Sequence, residues 1–94
     1  MREYELVFIV HPDLEEAAFN ELVDRVQSWI TDAGGNVSNV DIWGKRRLAY
    51  DIQKQHEGQY VLLRAQLKPE STAGIERNFR FVEPVMRFLI TSAD

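Results

Sequence analysis

The chain contains no cysteine. That removes disulfides, thiolate zinc sites, iron–sulfur clusters and a cysteine nucleophile. The only imidazoles are His11 and His56, 45 positions apart, and no carboxylates accompany them at metal-ligand spacing. His11 precedes Pro12 where a strand gives way to a helix, a place where a phosphate or a catalytic base can act. No serine or lysine nucleophile is paired with it, so it reads as a turn histidine, and His56 reads the same way within a hairpin. Glu15 and Glu16 are charges at a helix start rather than an acid/base pair. The loop His11-Pro12-Asp13-Leu14 lacks the glycine that would let backbone amides approach a small ligand. The residues therefore predict no enzyme, no metal, no cofactor and no small-molecule substrate.

The segment that stands out is Gly44-Lys45-Arg46-Arg47-Leu48-Ala49-Tyr50-Asp51-Ile52. Three adjacent cations repel one another, which suits an edge strand guarded against aggregation. It also suits an anion-binding edge, because arginine presents a planar fork to phosphate oxygens and Tyr50 can hydrogen-bond or stack. Both readings can hold together. In an extended strand Arg46 and Arg47 point to opposite faces, so at most one of them shares a surface with Arg64 and Arg87. An RNA-recognition motif needs two or three aromatics exposed on central strands. The third strand offers Tyr60, Leu62 and Arg64 on the relevant face, which is no stacking platform.

These residues have to be positioned by a small set of elements. Tyr4 to Val10 reads as a buried central strand ended by Pro12. Asp13 and Glu16 form a capping-box pattern ahead of a helix, whose apolar residues from Ala18 to Ala33 recur at steps of three and four. Gly34 and Gly35 stop that helix by supplying a left-handed cap. Val37 to Ile52 forms a long second strand, with Gly44 where a bulge would re-aim the chain. Beyond it Leu48, Tyr50 and Ile52 share one side, a polar turn spans Gln53 to Gly58, and Tyr60 to Leu67 forms the third strand. Pro69 opens a second helix that faces Ile75 and Phe79 inward. After Pro84 a last strand, Val85 to Thr91, sets Met86, Phe88 and Ile90 opposite Val85, Arg87 and Leu89. The order βαββαβ predicts an α+β fold: a ferredoxin-like four-stranded antiparallel sheet, first and third strands central, with both helices on one face.

Ninety-four residues, 45% hydrophobic and 28% charged, are expected to make one domain, residues 1–94, with a core formed without staples. The longest apolar run, Leu6 to Val10, is far short of the roughly 20 residues of a membrane span, and no leader pattern precedes it. A soluble, cytosolic protein without a membrane partner is expected. The formal charge of −4 is unevenly placed. Residues 1–41 hold two cations against nine acids, and residues 42–94 hold nine against six. This predicts one solvating face and one face for an anionic partner.

Met1-Arg2-Glu3-Tyr4-Glu5, the Gly44 to Ile52 segment, Glu76-Arg77-Asn78-Phe79-Arg80 and Glu83-Pro84-Val85-Met86-Arg87-Phe88-Leu89 together resemble the bacterial small-subunit ribosomal protein six family, over essentially the whole chain. The resemblance implies a structural protein of the small subunit, cytoplasmic within the ribosome. Its implied partners are the central domain of small-subunit ribosomal RNA and ribosomal protein eighteen, bound during assembly of the platform. Carried over, the RNA-binding candidates are Arg2, Tyr4, Lys45, Arg46, Arg47, Tyr50, Lys54, Arg80 and Arg87. The second-strand edge, with Val40, Ile42, Arg46, Arg47, Leu48 and Tyr50, resembles the surface that meets protein eighteen. Arg77 reads as a solvated helix charge, and Arg64 belongs either to the wet sheet face or to RNA. The chain departs from the family in ending at Asp94 without a charged tail, and in carrying His11 where asparagine is frequent. The other class consistent with the residues is an interaction module that self-associates through the second-strand edge.

Overall fold

The computed structural model describes residues 1–93; Asp94 lies outside the described residues. The elements are β1 (Arg2–Val10), α1 (Glu16–Asp32), β2 (Asn36–Ile52), β3 (Gln55–Leu67), a single 3-10 turn (Pro69–Ser71), α2 (Thr72–Arg80) and β4 (Val85–Ser92). The four strands form one antiparallel sheet in the order β2-β3-β1-β4. This is the ferredoxin-like arrangement, with β1 and β3 central as the topology predicts.

Alternation along the central strands divides the sheet into two faces. Leu6, Phe8 and Val10 of β1, with Val61, Leu63, Ala65 and Leu67 of β3, join Phe19, Leu22, Val23, Val26 and Ile30 of α1 and Ile75 and Phe79 of α2 in one core. Both helices therefore cover the same face. Phe79 sits at the centre of an aromatic group, with ring centroids 5.2 Å from Phe8, 5.2 Å from Trp29 and 5.0 Å from Phe88. The other face is open.

The helix ends show where local signals hold and where they do not. Gly34, at φ 83°, takes the left-handed cap position, and its N–H bonds the Thr31 carbonyl while Gly35 N–H bonds that of Ile30. These two bonds complete a Schellman motif. Gly35 lies so close to β3 that a β-carbon there would stand 2.6 Å from the Gln66 carbonyl oxygen. At the start of α1 the expected Asp13 cap is absent. The N-cap is Glu15 without a side-chain bond, which leaves the Asp13 carboxylate too far upstream for the free amides. Instead His11 Nδ1 accepts from the Asp13 amide at 3.1 Å, and Gln59 Nε2 donates to the carbonyls of His11 and Leu14. A central-strand side chain thus ties down the loop.

Three further expectations are corrected. The turn is not Gln53 to Gly58 but the two residues Gln53 and Lys54, at φ 51° and 65°, with Ile52 paired to Gln55. Two left-handed residues give a hairpin of the primed kind without the usual glycine or asparagine, which lengthens β3 to Gln55. In β4, Ile9 pairs with Arg87 and Val10 with Val85, so Met86 is an extra residue. This bulge puts Val85 with Phe88 and Ile90 on the core side and Met86 on the open side, against the simple alternation. Beyond Gly44, Leu48 is buried and Ile52 half-buried, but Tyr50 is exposed.

Candidate nucleic-acid interface

The geometry of the open face follows from the bulge at Gly44. Ile42 pairs with Val61 and Gly44 with Tyr60, leaving Trp43 as the extra residue, and Gly44 takes φ 81°. Before the bulge, odd-numbered residues such as Asp41 face the open side; after it, even-numbered ones do. The shift brings Trp43 and Arg46 onto one surface and places Leu48 beside Ile9 and Met86. These three are 7%, 8% and 9% exposed and form a small second core on the face without helices. The hairpin arm beyond Leu48 lies across it. Gly58 permits that approach, since a β-carbon there would stand 2.3 Å from Ile9 Cγ2.

The arm carries Tyr50 across to β4. Arg87 Nη1 donates a hydrogen bond to the Tyr50 hydroxyl, and the guanidinium carbon lies 5.6 Å from the ring centroid. Nearby, the Arg46 guanidinium lies over the Trp43 ring at 5.5 Å. Trp43 in turn stacks on Tyr60 at 5.9 Å with 13° between planes, while its indole N–H donates to Asp41 at 3.0 Å. Arg64, on the same face, is bound through Nε and Nη2 to Glu5 Oε2 at 3.1 and 3.0 Å. Its charge is thus locally neutralised by that of Glu5.

Of the predicted site residues, the structure gathers Arg46, Tyr50 and Arg87 on this face. Arg47 points the other way, opposite Glu57, and Lys54 sits at the hairpin tip. Lys45 lines a cleft of about 700 Å³ with Asp13, Glu16, Phe19 and Ile42, where the acids outnumber it and disfavour an anion. Arg2 lies at the opposite end of β1, across from Leu67. Tyr4 packs half-buried against the main core on the helix-covered side, because it has the parity of Leu6 and Phe8. Arg80 is on α2, 3.9 Å from Glu76. Of the residues expected on a partner edge, Val40 and Ile42 are 37% and 48% exposed, whereas Leu48 supports the arm from within. His11 lies in the loop after β1, whereas His56, expected in a turn, is a residue of β3, its Nδ1 2.7 Å from Asp51. Among the described residues no three His, Asp or Glu side chains gather to hold a metal, and no helix is long and apolar enough to cross a membrane.

The sequence reading passed over Trp43 and found no stacking platform. The open face holds one in the paired rings of Trp43 and Tyr60. The available signal was Gly44: moving the alternation by one residue there puts Trp43, Arg46, Leu48 and Tyr50 on a single side.

The same chain pattern and fold occur in known proteins. The sequence profile of the ribosomal protein S6 family matches residues 3–92. The chain is 42% identical over 94 residues to small ribosomal subunit protein bS6 of Caldanaerobacter subterraneus subsp. tengcongensis, covering 100% of this chain and 99% of that one. It is 44% identical over 91 residues to bS6 of Moorella thermoacetica, covering 97% and 93%. The crystal structure of 30S ribosomal protein S6 from Thermotoga maritima superposes with a TM-score of 0.93 at 28% identity, over 97% of this chain and 86% of that chain. With a ferredoxin-like sheet, a bulged basic edge strand and a profile match over nearly its full length, the chain belongs to the ribosomal protein S6 family.

Proposed function

We propose that residues 1–94 act as one RNA-binding domain. It holds the central domain of small-subunit ribosomal RNA together with ribosomal protein eighteen during assembly of the platform. Family membership makes the chain a structural component of the small ribosomal subunit, in the cytoplasm within the ribosome, and not an enzyme. The observation that supports the RNA reading is the convergence of Arg46 and Arg87 on one open face in a chain of net charge −4. Both guanidiniums are exposed and rest on aromatic rings, with no carboxylate partner among the described residues. Their charge is available to phosphate, with which arginine makes two parallel hydrogen bonds. Such contacts set position rather than read base edges. The acidic first half limits the footprint and favours help from a more basic neighbour along the β2 edge.

The test is titration against central-domain RNA at several salt concentrations, followed by footprinting with and without protein eighteen. Each neutralised phosphate contributes about −0.7 to −0.9 to the slope of log affinity against log salt. Arg46→Ala with Arg47→Ala is expected to weaken assembly while keeping the cooperative thermal transition. An affinity independent of salt overturns the reading. The unpaired outer edge of β2, with Val40 and Ile42 exposed, favours a second reading, self-association by strand addition. A homodimer by light scattering that does not shift on adding RNA and protein eighteen selects it.

A further inference from the structure

We infer that Trp43 is a platform on which one unpaired nucleotide of RNA stacks, with Arg46 leaving the ring to hold that nucleotide's phosphate. This rests on the RNA-binding reading and assigns it a contact on the base, at a residue outside the basic segment. Trp43 is 40% exposed, whereas the other tryptophan, Trp29, is edge-on to Phe79 within the aromatic core. The exposed indole is nonetheless held in place. Tyr60 lies parallel to it and Asp41 accepts its N–H, so little freedom remains to be lost when a base arrives.

The cover over the ring is exchangeable. An exposed cation–π contact such as that of Arg46 is worth about 2- to 5-fold in an equilibrium. A base stacked on an aromatic side chain is worth about 5- to 150-fold. The base therefore wins the ring, and the displaced guanidinium, on its flexible stem, gains a phosphate. Charge at this end of the face points the same way: among the described residues Arg46 and Arg87 pair with no acid, and their two charges outweigh the single carboxylate of Asp41, which accepts the indole N–H. Stacking requires a base whose flat face is free. Bases inside a duplex are already stacked on their neighbours, so the occupant is a single-stranded stretch, a bulge or a loop.

The experiment uses the full chain carrying Trp29→Phe, which leaves Trp43 as the only indole of the two. It is titrated with a short oligoadenylate and, separately, with the same strand in a duplex. Quenching of Trp43 by the single strand and not by the duplex is expected. In the chain with both tryptophans, Trp43→Ala is expected to lower affinity about 5- to 150-fold without changing the salt slope, and Trp43→Phe to recover most of that loss. Arg46→Ala should reduce the magnitude of the slope by about 0.7 to 0.9. If Trp43→Ala binds like the parent while Arg46→Ala weakens binding with salt, stacking is refuted and the phosphate reading stands. If neither oligoadenylate nor central-domain RNA binds at all, the RNA reading falls with it. Equal quenching by the duplex, or quenching by protein eighteen and not by RNA, also overturns the proposal. Thermal melting checks that each variant folds; should Trp43→Ala not fold, the quenching comparison on the intact ring decides.

Discussion

Replacing Gly58 by alanine tests how the hairpin arm is held on the open face. The backbone at Gly58 lies outside the left-handed region, so alanine meets no φ strain and gains about 0.4 to 1 kcal/mol by restricting the unfolded chain. Against this stands the new β-carbon, 2.3 Å from Ile9 Cγ2 and 3.2 Å from Met86 Cε. The methionine end can swing away. Ile9 Cγ2 is bonded directly to Cβ and moves only if the buried side chain leaves its rotamer or the arm lifts. Overpacking of this kind costs about 1 to 3 kcal/mol, so a net loss of about 1.5 kcal/mol is expected. For a chain of this size that lowers Tm by about 6 to 12 °C, measured by circular dichroism, with the urea midpoint as a second readout. Ile9→Leu removes the branch methyl that the alanine strikes. The double variant is therefore expected to be more stable than the two single losses predict, by at least about 0.5 kcal/mol. A Gly58→Ala protein that melts at or above the parent, or two penalties that simply add, would refute the close-approach explanation.

Two other predictions concern the hairpin tip and the core. Gln53→Asn with Lys54→Gly supplies residues suited to two consecutive positive-φ positions and is expected to raise stability by about 0.5 to 1 kcal/mol, read as a higher urea midpoint; no gain would mean the present turn is unstrained. Phe79→Ala removes the ring shared by Phe8, Trp29 and Phe88 and is expected to cost about 3 to 5 kcal/mol. That is a large part of the stability of a domain this size, and Trp29 fluorescence should report the loss; a midpoint close to the parent's would show that the cluster is not the centre of the core.

The fold was readable because its signals are local and repeated. The three- and four-residue recurrence in α1, the glycine pair after it and Pro69 before α2 each act within one or two turns of chain. The βαββαβ order then leaves few ways to cover one sheet face with both helices. The misreadings have equally specific causes. Asp13 resembles a cap, but Gln59, 46 positions later, bonds the loop carbonyls and the helix starts further on. Gln53 and Lys54 lack the usual signature of a primed turn, so the strand pairing of Gln55 to Gly58 was hidden. Met86 looks like a core residue by alternation, and it is buried, but on the face opposite the one expected.

The candidate site divides along the same line. The amino-acid order identifies the basic segment, the aromatic neighbours and the edge strand that carries them, because charge, side-chain type and strand period are properties of short stretches. Which of these groups share a surface was decided by the bulges and by the arm crossing to β4. Each bulge adds one residue to one strand and exchanges the two faces for everything beyond it. A contact such as Tyr50 with Arg87, 37 positions apart, exists only because Gly58 lets the hairpin lie down on Ile9 and Met86. Local pattern can name the participants, but strand pairing and packing across the sheet settle which of them meet.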